Sequence, residues 1–254
     1  MSKINIQFTL FSAFYSPLIS TMTGGFLKDE GLDYEWSVAK PGVTAITALD
    51  NGSADVVQST LSQGFNTLNK GETPTCVHFA QINEMDGFFI TGRDAEPDFS
   101  WHKLEGAEVL AHHGGQPMTM FKYACYKAGI DINKINIIDA GSGNEMDAAF
   151  RAGTGQYIHQ QGPAPQQLAA DGIGHVVAQL GPVIGACGFS SLAANPAWLA
   201  TDEAKAFTRA YIKTRNYMND TSAAEIASAQ KPLVPKIDEA VLTDCIDTYK
   251  GMGC

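Results

Sequence analysis

Four short polar stretches of this chain carry the residue types that hold a small molecule. Ser12, Phe14 and Tyr15 combine a hydroxyl with two ring surfaces, and Gln58, Ser59 and Thr60 add an amide and two more hydroxyls. His113, Gly114, Gly115, Gln116 and Thr119 offer an imidazole, glycine backbone and two further hydrogen-bonding side chains. Tyr157 and His159 complete the set. None of these residues is Lys or Arg. Free N–H groups at a helix start nonetheless hold a carboxylate, sulfonate or phosphate without a basic side chain. The combination suits a ring or planar group with a few hydrogen-bonding positions.

Several of the same residues have a plainer reading. Phe14 and Tyr15 also fit an interior, Ser59 and Thr60 also fit helix caps, and Glu145 favours a helix N-terminus by its charge. His112 and His113 resemble a metal pair, but neighbours on extended backbone point to opposite sides, and no acidic or Cys partner stands at ligand spacing. Gly114 and Gly115 lack the spacing of a nucleotide loop, and no Lys-Ser or Lys-Thr follows them. There is no Gly-x-Ser-x-Gly, and no Cys has a His beside it in a nucleophile setting. Lys70 forms a Schiff base only if buried, and nothing local predicts that. The residues therefore lead to no catalytic group, no metal and no cofactor.

The elements that position these stretches follow a βα rhythm. Ile4, Ile6 and Phe8 alternate as a strand, and Ser16-Pro17 reads as a helix start, with the Ser hydroxyl as cap. Leu18, Met22 and Phe26, with Ile19 beside them, form one apolar helical face, and Leu32, Tyr34, Trp36 and Val38 alternate as the next strand. Pro41-Gly42 turns into a short helix carrying Val43, Ile46 and Leu49. Further strands are expected at 54–57, 75–81 and 87–90. At 91–95 the character changes, and the rhythm restarts with strands at 107–111, near Ile135 and Ile137, and at 157–159. Pro117 opens a helix with Met118, Phe121 and Cys125 on one face. Val176 to Ala178 and 183–189 lead out through Gly-rich backbone, and from Asn195 the pattern is helical. Phe207, Ala210, Tyr211 and Tyr217 share one face, as do Leu242, Cys245, Ile246 and Tyr249. The expected organisation is a discontinuous first lobe, 1–92 plus 188–254, and a second lobe, 93–187. Strand-end loops are where open α/β sheets bind ligands, so the four stretches are expected to converge on one cleft if the lobes face each other.

Composition narrows the function classes. The formal charge of −10 argues against nucleic acid and anionic membrane surfaces, which reward clustered Lys and Arg. No apolar run is long enough to span a bilayer, so no membrane insertion is expected. Five scattered cysteines without a Cys-x-x-Cys read as reduced, mostly buried thiols. The start as written has no secretory leader, which leads to a cytoplasmic expectation, with a periplasmic location the alternative if a leader has been removed.

The run SPLISTMTGGFLKDEGLDYEW, then PG, then ALDNGSADVV, resembles the opening lobe of the type-II periplasmic-binding family. The most similar branch contains nitrate-, sulfonate- and taurine-binding proteins together with thiamine-pyrimidine synthase-like proteins. The resemblance covers most of the chain, is strongest over residues 4–93, and is more specific for fold than for ligand. It implies a two-lobed α/β protein, with mixed sheets flanked by helices, that closes on a small molecule held between its lobes. It implies ligand-facing loops that include Phe14, Tyr15, Ser59, Thr60, Gly114 to Thr119 and Tyr157 to His159, and an ABC-transporter permease as partner. The expected ligand is a planar heteroaromatic compound such as a pyrimidine thiamine precursor, then a small sulfonate or carboxylate. The alternative is an enzyme on the same scaffold, either a pyridoxal-phosphate-dependent pyrimidine synthase or a decarboxylase or lyase of an acidic aromatic. The clustered cysteines of the synthase branch are absent here.

Overall fold

A computed structural model describes residues 1–40, 43–111 and 114–253, with residue 66 in its backbone alone. The expected turn at Pro41-Gly42 and the His112-His113 pair lie outside the described residues. The chain forms two units, Met1–Glu84 with Gly188–Lys250, and Met85–Cys187 with Gly251–Cys254.

In chain order the first half comprises β1 (Ser2–Phe8), α1 (Ser16–Thr23), α2 (Phe26–Asp29), β2 (Leu32–Val38), α3 (Ile46–Asp50), β3 (Val56–Ser59), α4 (Gln63–Asn69), β4 (Val77–Asn83), β5 (Phe88–Gly92), β6 (Glu108–Ala111) and α5 (Gly115–Lys127). The second half comprises β7 (Asn136–Ile138), α6 (Gly143–Arg151), β8 (Tyr157–Gln161), α7 (Ala164–Ala170), β9 (His175–Gln179), α8 (Leu180–Ile184), β10 (Ser190–Ala194), α9 (Pro196–Leu199), α10 (Asp202–Asp220), α11 (Ala223–Gln230) and α12 (Glu239–Gly251). No helix among the described residues is long and apolar enough to cross a membrane.

The first unit is built on a sheet of order β2-β1-β3-β10-β4. β1 runs parallel to β2 and β3, whereas β10 is antiparallel to both of its neighbours. Alternation along β1 buries Ile4, Ile6 and Phe8, and α1 buries Leu18 and Ile19. The apolar face expected to run from Leu18 to Phe26 is divided between two helices. Gly25, at φ +81°, adopts the left-handed backbone that glycine tolerates, and the axis turns there. A Cβ on Gly24 would also run into the Phe26 ring. On α10, Phe207, Ala210 and Tyr211 are buried, and Tyr217 meets Phe26 at 5.4 Å between ring centres.

β10 is a strand that the sequence pattern misses. Its residues, Ser-Ser-Leu-Ala-Ala, are buried throughout because the strand lies between β3 and β4 and is covered on both faces. Alternation, the usual mark of a half-exposed strand, is therefore absent. The preceding stretch begins with the short helix α8.

The second unit repeats the layout with order β7-β6-β8-β5-β9. β6 is parallel to β7 and β8, and β5 is antiparallel to β8 and β9. Leu110, Met146, Phe150, Ile158 and Leu168 form one of its cores. Arg93 fastens the edge of that core. Its guanidinium lies 4.2 Å from the centre of the Phe150 ring and donates to the carbonyls of Phe150, Thr154 and Gly155 at 2.7–2.9 Å. The expected boundary at 92/93 falls too late in the chain. β5 pairs with β8 and β9, so the crossing comes after Glu84, and the change of character near 91–95 marks the far end of a strand already inside the second unit.

The strand order reverses between β1 and β3 in one unit and between β6 and β8 in the other. These are the switch points beyond which open α/β sheets leave a crevice for ligands.

Candidate functional site

At the end of β1 the backbone makes one 3-10 turn, Ala13–Tyr15, capped by Ser12, whose Oγ accepts from the Phe14 N–H at 3.2 Å. This turn carries the two expected ligand rings inward. Phe14 is 1% exposed and packs on Tyr15, Phe189 and Tyr249 at 4.8–5.5 Å between ring centres. Tyr15 is buried beside it. The structure thus places both rings in the core of the first unit rather than on a loop surface. The partly exposed ring at this end is Phe11, stacked on Trp36 at 4.6 Å. The Ser16 hydroxyl donates to the Ala13 carbonyl at 2.6 Å instead of capping α1.

Gln58 closes the gap between the β1 and β3 ends. Its Oε1 accepts from the N–H groups of Thr9 and Leu10 at 3.1 and 3.3 Å, and its Nε2 donates to Ser190 Oγ at 2.8 Å. Replacing Gln58 by Leu is expected to cost about 1 kcal/mol, because the Leu10 N–H loses its acceptor and Ser190 Oγ its donor, while the Thr9 N–H keeps the residue-58 carbonyl and the Ser190 hydroxyl keeps the Ser59 carbonyl. A urea-unfolding midpoint unchanged from wild type would contradict this.

Beside the β3 end lies a pocket of about 260 Å³, lined by Leu61, His78, Phe79, Ala80, Gln81, Gly188, Ser190 and Ser191. His78 Nδ1 stands 2.6 Å from Ser191 Oγ, and Ser191 Oγ donates to the Ser59 carbonyl at 3.1 Å. A hydroxyl has one proton. With it directed to Ser59, His78 Nδ1 is the donor to Ser191, and Nε2 keeps the lone pair. Burial lowers the His78 pKa, so the ring is neutral at pH 7. A nucleophilic Ser needs the opposite arrangement, with its proton given to the imidazole. With the Ser191 proton directed to Ser59, the pair and the Ser59 carbonyl form one hydrogen-bonded wall with a neutral imidazole. Ser59 itself is buried and anchors the wall through its carbonyl, and Thr60 Oγ1 lies 2.9 Å from Ser62 Oγ.

In the second unit, Gly114 and Gly115 both have positive φ, +72° and +64°, and lead into α5 with Gln116 half-buried and Thr119 exposed. Thr119 Oγ1 donates back to the Gly115 carbonyl at 3.1 Å. His113 lies outside the described residues. Tyr157 opens β8 at its N-terminal end, away from the switch point, and its hydroxyl donates to Glu96 at 2.7 Å. Burial and then that carboxylate push its pKa up. His159 is fully buried between the rings of Phe88 and Phe121, at 4.6 and 4.8 Å. Tyr157 and His159 are thus held in the unit's interior. At the switch-point end of β8 the structure instead places Gln160 and Gln161, with Gln166 following on α7. Gln160 Oε1, Gln161 Nε2 and Gln166 Oε1 are buried without a partner among the described residues. The run His-Gln-Gln-Gly-Pro held the signal, because amides placed immediately before a turn sit at a strand end. Glu145 forms a reciprocal cap with Ser142, as its charge and position suggest, and leaves the crevice alone.

Comparison with known proteins gives these geometries a family. A model described as the NMT1-like family matches residues 8–230. A protein named "Putative binding protein YtlA", from Bacillus subtilis, is 29% identical over 98% of this chain and 76% of its own length. Among solved structures, the alkanesulfonate-binding protein SsuA of Xanthomonas axonopodis pv. citri, bound to MOPS, superposes with a TM-score of 0.74 at 15% identity, covering 97% of this chain and 84% of that one. The ligand-binding component of an ABC-type import system from Staphylococcus aureus, solved with zinc bound, gives 0.74 at 18% identity, covering 97% and 84%. At these identities the structural likeness establishes the periplasmic-binding-protein fold.

Proposed function

This chain belongs to the NMT1-like family, and on that premise we propose that it is the solute-binding component of an ABC-type importer, capturing a small planar ligand. The observation that carries this reading is the pocket at the β3 end, whose lining offers hydroxyls, a neutral imidazole and apolar surface but no Lys or Arg. Such a lining favours a neutral heteroaromatic ring, such as a pyrimidine thiamine precursor, over a fully charged ion. A small sulfonate or carboxylate comes second, supported by the alkanesulfonate-binding neighbour. Closure of the two units is the expected response to capture, and a permease is the expected partner, supported by the import-system neighbour.

Thermal-shift measurements with 4-amino-5-hydroxymethylpyrimidine, benzoate, benzenesulfonate and nitrate test the proposal. A true ligand at about a hundredfold excess over its Kd adds about 2.7 kcal/mol, a rise of roughly 5–10 °C for a chain of this size. The pyrimidine is expected to give the largest rise. No rise with any of the four at millimolar concentration would overturn the reading. A rise with nitrate alone would overturn the preference for a neutral ring.

A further inference from the structure

A helix that follows a strand in an α/β unit normally packs its apolar face on the sheet. α4 does not. Among the described residues it shares no substantial packing with any other element. Its helical turn begins before the helix proper, with Gln63 N–H donating to the Thr60 carbonyl at 3.1 Å and Gly64 N–H to the Leu61 carbonyl at 3.2 Å. Phe65 and Leu68, three residues apart on α4, share one face, and Leu61 lies in the turn that leads into the helix. Leu61, Phe65 and Leu68 are 38%, 56% and 56% exposed. Leu61 also lines the pocket on β4 and β10. It is seated there because Gly188 has no side chain: a Cβ at that position would lie 2.8 Å from Leu61 Cδ1.

Exposed apolar side chains thus follow the pocket rim at Leu61 onto a helix with little packing of its own. We propose that α4 is the lid of this pocket, and that Phe65 and Leu68 cover the face of a ring bound against Ala80 and Ser191. This rests on the ligand-binding reading above and adds what closes the site within the first unit. The volume, about 260 Å³, falls just below the lower end of drug-sized sites at about 300 Å³, so the occupant is a single ring with small substituents. Leu61 belongs to both this apolar run and the pocket, which argues for the ligand and against a protein partner as the occupant of that face.

The test combines amide hydrogen exchange with the variant Phe65→Ala, using 4-amino-5-hydroxymethylpyrimidine as the ring probe and methanesulfonate as the ringless one. The lid account expects rapid exchange along α4 in the free protein and protection once the ring probe is added. In Phe65→Ala the melting temperature of the free protein is unchanged, and affinity for the ring probe falls about tenfold because half a Phe side chain no longer becomes buried. Affinity for methanesulfonate is unaffected. A marked fall in the melting temperature of free Phe65→Ala would make Phe65 an ordinary packing residue and overturn the lid. Binding of the ring probe with α4 unprotected, or with equal affinity in the variant, would overturn the lid and leave ligand capture standing. Failure of both probes to bind would overturn the two together.

Discussion

Replacing Asp86 by Asn is expected to widen the stability gap over wild type by about 4 kcal/mol between about pH 4 and pH 8, since one pKa unit is worth about 1.4 kcal/mol. Asp86 is fully buried, and its Oδ1 accepts the Phe88 N–H at 2.8 Å while Oδ2 has no partner among the described residues. Burial raises its pKa from 3.8 to about 7, a shift that the Phe88 N–H only partly opposes. The sign follows from proton counting. Between these two values the folded state holds a proton that the unfolded state has released. This group's contribution is therefore greatest in acid and falls as the pH rises through the window, levelling above about 7. Asn keeps the acceptor for Phe88 and has nothing to ionise. The neighbouring Cys187 thiol, pushed up to about 11 chiefly by burial, stays protonated throughout and does not blur the reading. Urea unfolding of wild type and variant at a series of pH values measures the effect. Parallel curves would show that the Asp86 carboxyl titrates normally.

The second large effect is expected from Phe121→Ala, at about 3–5 kcal/mol. The Phe121 ring is fully buried and lies 4.8 Å from the His159 ring at an interplanar angle of 20°, with Phe88 on the other side of the imidazole. Truncation leaves a cavity against the central strand of the second sheet and exposes one face of the imidazole. Trp101 is the one tryptophan of the second unit, and Trp36 and Trp198 belong to the first. A protein retaining only Trp101 therefore reports this unit by its emission. Its denaturant transition is expected to move to markedly lower concentration in Phe121→Ala. A loss below about 1 kcal/mol would mean that the core collapses to fill the space, with little cavity left behind.

Period and punctuation made much of the architecture legible. Ile4, Ile6 and Phe8 alternate, Ser142 and Glu145 stand at capping-box spacing, and glycines end many helices. Each of these is a local signal, and local signals survive in a single sequence. What escaped depends on packing over long separations. β10 is a Ser-Ser-Leu-Ala-Ala strand only because β3 and β4 flank it from more than a hundred residues away. Whether Phe14 faces a ligand or a core turns on Phe189 and Tyr249, which no window around Phe14 contains.

The candidate site divides along the same line. Ser59 and Thr60 stand out because they end a strand, and the β3 end is where the pocket lies. His78, Ser190 and Ser191 give no comparable signal. Each sits within a strand, and their joint presence in one wall follows from the β10–β4 pairing. Gln160 and Gln161 continue the strand that Tyr157 and His159 begin, but the face each residue takes depends on the register of β8 against β5.

A plugged pocket shows whether the first unit's cavity receives the solute. Ala80 lines the cavity and takes no part in the His78, Ser191 and Ser59 wall. Isothermal titration of 4-amino-5-hydroxymethylpyrimidine into wild type and Ala80→Phe separates the outcomes. A saturable one-to-one isotherm for wild type, lost in a folded Ala80→Phe, is the expected result. Equal affinity in both proteins, or no saturable heat in wild type, would contradict it.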